Sequence, residues 1–315
     1  MADGVICQSC HMPTDGEVGN AADLGNHFDV PAGIAAGWYR TPGQVRQHVW
    51  VGPRQPESRM LQLAAALSIE SAVQDGELVA QVTVRNVGPG HAIPTGEPLR
   101  SLILAVEARC EGEALPPTGG DVISDIGGAL DFRDADEDWE IWPSAQPGER
   151  LRVVSRPGGW VDYEGPGRFG DGSFTPEQKG WPVEAYVGEA EILSVDSEGR
   201  VTLDQALPAG DRVYRVRAGD PAEGGLTLAG APGVAFARVL VDAECQRMEP
   251  HHRAVDVASD NRLRPQEEWT STHRFAASCE APEVRAVLLH RAFPLDLAEE
   301  RGWEDIDQVM AESTR

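Results

Sequence analysis

Lysine is nearly absent: Lys179 is the only one among 315 residues. Lys plus Arg number 27 against 51 Asp plus Glu, so the formal charge is −24. A surface of that sign repels nucleic acid and anionic membranes, and neither is expected as a partner. Aromatic residues are few, at 6%. No apolar run approaches the roughly 20 residues that span a bilayer, so no transmembrane segment is expected. No repeat recurs at periods of 20–50 residues. G-x-S-x-G, a phosphate-binding P-loop, a dinucleotide fingerprint and a Ser/His/Asp order are also missing, which removes the common hydrolase and nucleotide-binding classes. The opening Met-Ala-Asp-Gly-Val-Ile has neither a charged nor an apolar leader region, so no signal peptide is expected in the chain as it begins.

The sequence is instead rich in Gly (34) and Pro (23). Together with short Val-rich runs, this points to a mainly β chain rather than a helical bundle. Its length suits two domains, or one large domain with insertions. Residues 1–58 carry little apolar periodicity and much Gly, Pro and His. Residues 59–70 hold the one strongly helix-favouring stretch, with Met60, Leu63, Ala64 and Leu67 on one face. From 71 the period becomes two. Strands are expected at 78–86 and 101–109 and near 150–155, 189–195, 212–217, 235–244 and 284–291. Between them, about 116–185 reads as long inserted loops, and 131–140 as a solvated acidic loop in which EF-hand spacing is not met. Near the C-terminus Trp303, Ile306 and Met310 are expected to pack as a short helix. The expected architecture is an antiparallel β-sandwich over 71–315, preceded by a small cofactor-binding segment with short helices over 1–70.

The five cysteines are at 7, 10, 110, 245 and 279. Cys7 and Cys10 are followed directly by His11, giving Cys-Gln-Ser-Cys-His, the attachment signature of haem c. Two thiols three positions apart on a helical turn reach the two vinyl groups of one porphyrin, and the next side chain supplies the proximal imidazole to the iron. A thioredoxin-like C-x-x-C would sit in a βαβ unit, and a zinc site would need a second Cys/His pair; neither context is present. Two of the other three cysteines are expected to pair, Cys245 with Cys279 first, although sequence leaves the connectivity open.

The iron also needs a second axial ligand or an open site. His48, after a Pro-Gly turn, leads the candidates. His91 and His27 follow, His91 because its flanking glycines permit close approach to a flat cofactor. Met60, Met248 and Met310 are further donors, and a Met ligand would raise the potential. His11 and His48 are thus the candidate metal ligands, with Cys7, Cys10, His27 and His91 completing the candidate cofactor-binding set.

Cys7–Pro13 (Cys-Gln-Ser-Cys-His-Met-Pro) and His48–Gly52 together resemble the terminal haem segment of exported bacterial multihaem c-type cytochromes. Asn86-Val-Gly-Pro-Gly-His-Ala-Ile-Pro-Thr-Gly-Glu-Pro-Leu-Arg100 resembles the element opening the β-domain of such proteins. Asp260–Pro265, Thr272–Phe275 and Val287–Pro294 extend the resemblance over most of the chain. It implies a bis-histidine haem, with Trp50 standing where the family's His-x-Phe-x-Gly has Phe, and an electron-transfer role. Family members carry several haems and this chain has one C-x-x-C-H. A conduction path would therefore need other haem-bearing chains, in an oligomer, a filament or a larger assembly.

The reading is a periplasmic or extracellular c-type cytochrome with one covalent haem, an electron carrier serving redox partner proteins more than a catalyst. The alternatives are a haem-containing subunit of a reductase or peroxidase-type enzyme, and a non-redox β-sandwich binding module with Trp-rich loops.

Overall fold

The structure is a computed structural model. It describes residues 58–315 except 128–130, 135–136, 157–159, 162–180 and 278, and before these only His11, Met12, Thr14, Gly52, Arg54 and Gln55. The chain divides into two compact units, Met1–Leu61 and Gln62–Arg315. The first helix with described bounds, α1 (Met60–Ala64), straddles that division. The described chain then runs through β1 (Ala65–Gln74), β2 (Glu77–Asn86), β3 (Ser101–Cys110), β4 (Glu113–Ala114), β5 (Pro117–Gly120), β6 (Phe132–Asp134), β7 (Arg150–Ser155), β8 (Trp160–Val161), β9 (Trp181–Pro182), β10 (Ala185–Val195), β11 (Val201–Leu203), β12 (Arg212–Val216), β13 (Gly233–Val241), β14 (Asp256–Asp260), β15 (Glu268–Ala276), β16 (Glu283–Arg291) and β17 (Asp307–Thr314). One more helix, α2 (Leu295–Arg301), lies between β16 and β17.

The fold is mainly β, as expected, with antiparallel sheets in a sandwich-like arrangement. The helix expected over 59–70 is cut short. From Ala65 the chain pairs with β2 through ten rungs, Ala65↔Asn86 to Gln74↔Glu77. Asp75 (φ +50°) and Gly76 (φ +83°) close this hairpin. Positive φ at both turn residues matches the twist of the flanking strands, and Asp-Gly is a preferred pair there. That ladder outweighs the helix propensity of the three consecutive alanines.

One sheet runs β1-β2-β15-β5, and a second runs β14-β13-β3-β16-β17 with β4 beside β3. Strand β2 alternates as a half-buried strand must, with Leu78, Ala80, Val82, Val84 and Asn86 inward. By contrast β3 is buried on both faces for most of its length. Ile103 and Ala105 pack with Ala235, Val287, Leu289, Ile123 and Leu228 on one side. Leu102 lies opposite Phe236 and His290 and faces the other way. There Phe236 meets Trp269 of β15 edge-on, at 6.3 Å between ring centroids, so the two sheets pack face to face.

A further sheet is ordered β11-β10-β7-β12-β6; β7, β10 and β12 match expected strands, while β6 lies in the stretch expected as inserted loops. Its first strands find partners 30–80 residues later in the chain, a separation at which a local pattern is silent. One face holds an apolar cluster of Trp142, Leu151, Val153, Ile192, Val201 and Val213. The C-terminal expectation is corrected in the same way. α2 ends at Gly302 in the left-handed region (φ +64°). Ile306 packs on Leu295 and Ala298. Met310 then lies in β17, an edge strand on β16. Asp307 anchors that turn by accepting two 2.7 Å hydrogen bonds from Arg291, and both side chains are buried.

Candidate haem site

The pentapeptide begins outside the described residues: Cys7 and Cys10 lie there, as do the candidate ligands His27 and His48. His11 is described, helical and half-buried, followed by a half-buried Met12. Both belong to the Met1–Leu61 unit.

His91 belongs to the Gln62–Arg315 unit and sits, exposed, on the loop from β2 to β3. The surrounding residues show why that loop is built as it is. Asn86, fully buried, donates its side-chain amide to the carbonyls of His91 (2.9 Å) and Leu263 (3.0 Å). Ile93 and Leu263 exchange backbone hydrogen bonds of 2.9 and 3.0 Å. The Ile93–Pro94 peptide is cis. The Arg100 guanidinium donates to Thr95 O at 3.0 Å and crowds Gly96, whose φ is +87°. The Asn, Pro, Gly and Arg of the Asn86–Arg100 element are thus its internal frame. His91 is the side chain that this frame presents outward, with its Nδ1 3.0 Å from Ala92 O.

The Asp260–Pro265 element forms the facing half of that frame. Asp260 accepts from Arg262 Nε (2.8 Å) and a terminal nitrogen (2.7 Å). Asn261 bridges Ala235 and Ala237 of β13. Side-chain bonds to neighbouring backbone thus set this turn.

Two of the remaining histidines are sealed in the sandwich. His273 is fully buried, with Nδ1 3.0 Å from Asp121 O and Nε2 2.9 Å from Ser271 Oγ. Burial pushes its pKa down to about 4, so it is neutral at pH 7. The Ser271–His273 contact has the spacing of a hydrolytic dyad, yet both side chains are shut off from solvent, and no substrate can reach them. His290 is also buried. His251 and His252 are exposed and edge-on to each other, with His251 3.2 Å from a Glu97 oxygen. Among the described residues no three His, Cys, Asp or Glu side chains cluster as a metal site.

The cysteines depart from the expected pairing. The disulfide joins Cys110, at the end of β3, to Cys279, with Cα atoms 6.1 Å apart, while Cys245 is free and exposed. The two partners are 169 residues apart in sequence. They meet because β15 and β16 return beside β2 and β3.

What sequence reasoning missed is the polar face of the inserted sheet. Arg152 donates to Glu189 at 2.6 and 2.9 Å, both side chains buried, and Arg150 adds a 2.7 Å bond. Beside them Glu184 accepts from Tyr214 Oη (2.7 Å) and Arg156 Nε (2.9 Å). Burial raises the pKa of Glu184, against the pull of Tyr214 and Arg156. Burial, and then the Glu184 charge, holds the Tyr214 hydroxyl well above its ordinary value. Arg212 grips Asp134 through two nitrogens and lies 4.0 Å over the Phe132 ring. The one available signal was arginine recurring inside strand-like runs (Arg150, Arg152, Arg212, Arg215), which requires buried carboxylates nearby. These pairs brace the sheet, and Arg215 Nε is the buried nitrogen among these arginines left without a hydrogen-bond partner.

No protein-family model matches the chain, and no curated protein matches it. Among solved structures it is similar to a penta-haem cytochrome c552 from Thermochromatium tepidum, with 17% identity and a TM-score of 0.41. That alignment covers 98% of this chain and 54% of the other, so the chain spans about half the length of that protein.

Proposed function

We propose that this chain is a c-type cytochrome that passes electrons by outer-sphere transfer through one covalently held haem. The Cys7-x-x-Cys10-His11 pentapeptide carries this reading. The donor set fits: the disulfide uses Cys110 and Cys279, so it takes neither leading thiol. Cys7 and Cys10 would hold the macrocycle as thioethers, and His11 would supply an imidazole to its iron. His48 is the proposed second ligand, with His27 and His91 as the alternatives. When bound, the haem supplies a one-electron iron couple. Two imidazoles hold a lower potential than a His/Met pair. They also leave no open position for substrate, so the protein's part is to keep both rings fixed between oxidation states.

The haem segment is assigned to the chain before β1 rather than to 1–70, because Ala65–Gln74 already pairs with β2, and the strand domain from β1 onward is assigned as scaffold and docking module. The disulfide supports an oxidising compartment, periplasmic or extracellular, which is also where haem c is attached. Partners are other redox proteins.

The test is intact-mass analysis of the full chain matured with haem-attachment machinery. One added haem is expected, and none on Cys7→Ala/Cys10→Ala. An unmodified mass for the parent chain would overturn the reading and leave a non-redox binding module. In the loaded protein His48→Ala is expected to turn low-spin iron high-spin. An unchanged spectrum removes His48 and passes the test to His27 and His91.

A further inference from the structure

We infer that the surface around Trp303 is a docking site for a basic protein. Trp303 is 46% exposed, the most exposed aromatic side chain among the described residues. It does not swing freely. Its ring lies against Phe293 at 4.5 Å between centroids, tilted by 48°. Phe293 itself packs on the Leu99, Val239, Val241 and Met248 cluster. The backbone amide of Trp303 donates to Ala298 O at 2.9 Å, so the end of α2 fixes where the ring emerges. A large aromatic held in place before binding loses little entropy on docking, which is the physical profile of an interface anchor.

The chain on either side of it is acidic. Asp296, Glu299 and Glu300 on α2, with Glu304 and Asp305 beyond it, are all exposed. Arg301 is the one basic residue between 295 and 305, and it lies 3.4 Å from Glu300. Leaving out Asp305, which has a partner of its own, four carboxylates against one guanidinium leave a local charge of −3. An apolar centre with a rim of one sign fits a partner that sets an Arg or Lys on the ring face and further basic groups among the carboxylates. The whole-chain charge of −24 steers the same class of partner toward the molecule and rejects acidic ones. This inference stands apart from the haem reading, since every residue in it lies in the strand unit.

The test titrates the full chain with a lysine-rich mitochondrial-type cytochrome c at low ionic strength, by calorimetry. Trp303→Ala and Glu299→Gln/Glu300→Gln/Glu304→Gln are each expected to weaken binding about tenfold or more. The matched change Glu111→Gln/Glu113→Gln/Glu244→Gln, which removes as much charge from other exposed positions, is expected to change it less than about twofold. Equal weakening by the two triple variants would overturn the inference in favour of a diffuse field. So would full affinity in Trp303→Ala, or no binding of the probe to the parent chain. If Trp303→Ala disturbs packing at Phe293, the two charge variants decide the matter. The same titration on Cys7→Ala/Cys10→Ala is expected to give the same result, which separates this site from any contact made by the haem.

Discussion

The two sheets of the sandwich bury mostly hydrocarbon between them, whereas the sheet of the insertion buries an apolar cluster on one face and ion pairs elsewhere. Between the sandwich sheets the fully buried groups are mostly Leu, Val and Phe, such as Leu102, Leu104, Leu288 and Phe236. In the insertion sheet Arg152 and Arg215 are buried with Glu189 and Asp131, and the buried Arg212 pairs with the partly exposed Asp134. A hydrocarbon interior gains from each methylene removed from water. A buried ion pair only roughly balances its desolvation, but it punishes the loss of either partner. The sandwich therefore provides most of the stability, whereas the insertion provides a surface whose shape depends on exact pairing.

The largest effect should come from breaking one pair. Arg215 is 1% exposed and donates to Asp131 at 2.6 Å. Arg215→Ala is expected to cost about 4 kcal/mol by leaving Asp131 buried with less compensation. Leu104→Ala in the sandwich is expected to cost slightly less, about 3 kcal/mol, as a cavity. Urea unfolding of both variants checks the comparison, and a neutral Arg215→Ala would refute the account of the insertion.

Acid separates the regions by sign. His273 in the sandwich has a folded pKa of about 4 against an ordinary value near 6.5. Between those values the unfolded chain takes up a proton that the folded chain refuses. Stability from this group is complete above about pH 6.5 and falls by about 3 kcal/mol as pH drops to 4. Glu184 in the insertion has a raised folded pKa, so its buried charge costs stability at neutral pH and that cost fades on acidification. Unfolding midpoints from pH 7 to 4.5 should fall in the parent chain and fall less in His273→Gln. Parallel curves would remove His273 as the cause.

The smallest effect is expected at the β1–β2 turn. Gly76→Ala meets no atom within 4 Å, so its cost comes from the backbone at φ +83° alone, about 1 kcal/mol. A larger loss would show that this hairpin does more than join two strands.

Several strands were legible in sequence to within a few residues: β2, β3, β7, β12, β13 and β16 all show local alternation or a short apolar run. β15 was not, because the side chains it buries include Ser271 and His273, which erase the apolar period. β1 reads as helix through Ala64-Ala65-Ala66. β17 is hidden behind the helix expected from Trp303, Ile306 and Met310, since only Met310 of its eight residues is fully inward and no apolar alternation shows. For the candidate site, sequence named Cys7, Cys10 and His11 from spacing alone and singled out His91 by its glycines. It did not show that Asn86 and Arg100 frame the His91 loop, because their partners at Thr95 and Leu263 are set by the fold.

Composition and local period decided that this chain is mainly β and strongly acidic, and they supplied the Cys7-x-x-Cys10-His11 spacing on which the proposed function rests. These follow from neighbours within a few positions, where side-chain chemistry and strand geometry act directly. Which thiols join, which arginine meets which carboxylate and where an aromatic ring is left facing water were decided by tertiary structure. Each depends on bringing together groups tens to hundreds of residues apart, as with Cys110 and Cys279 at a Cα distance of 6.1 Å, and no local pattern encodes that meeting.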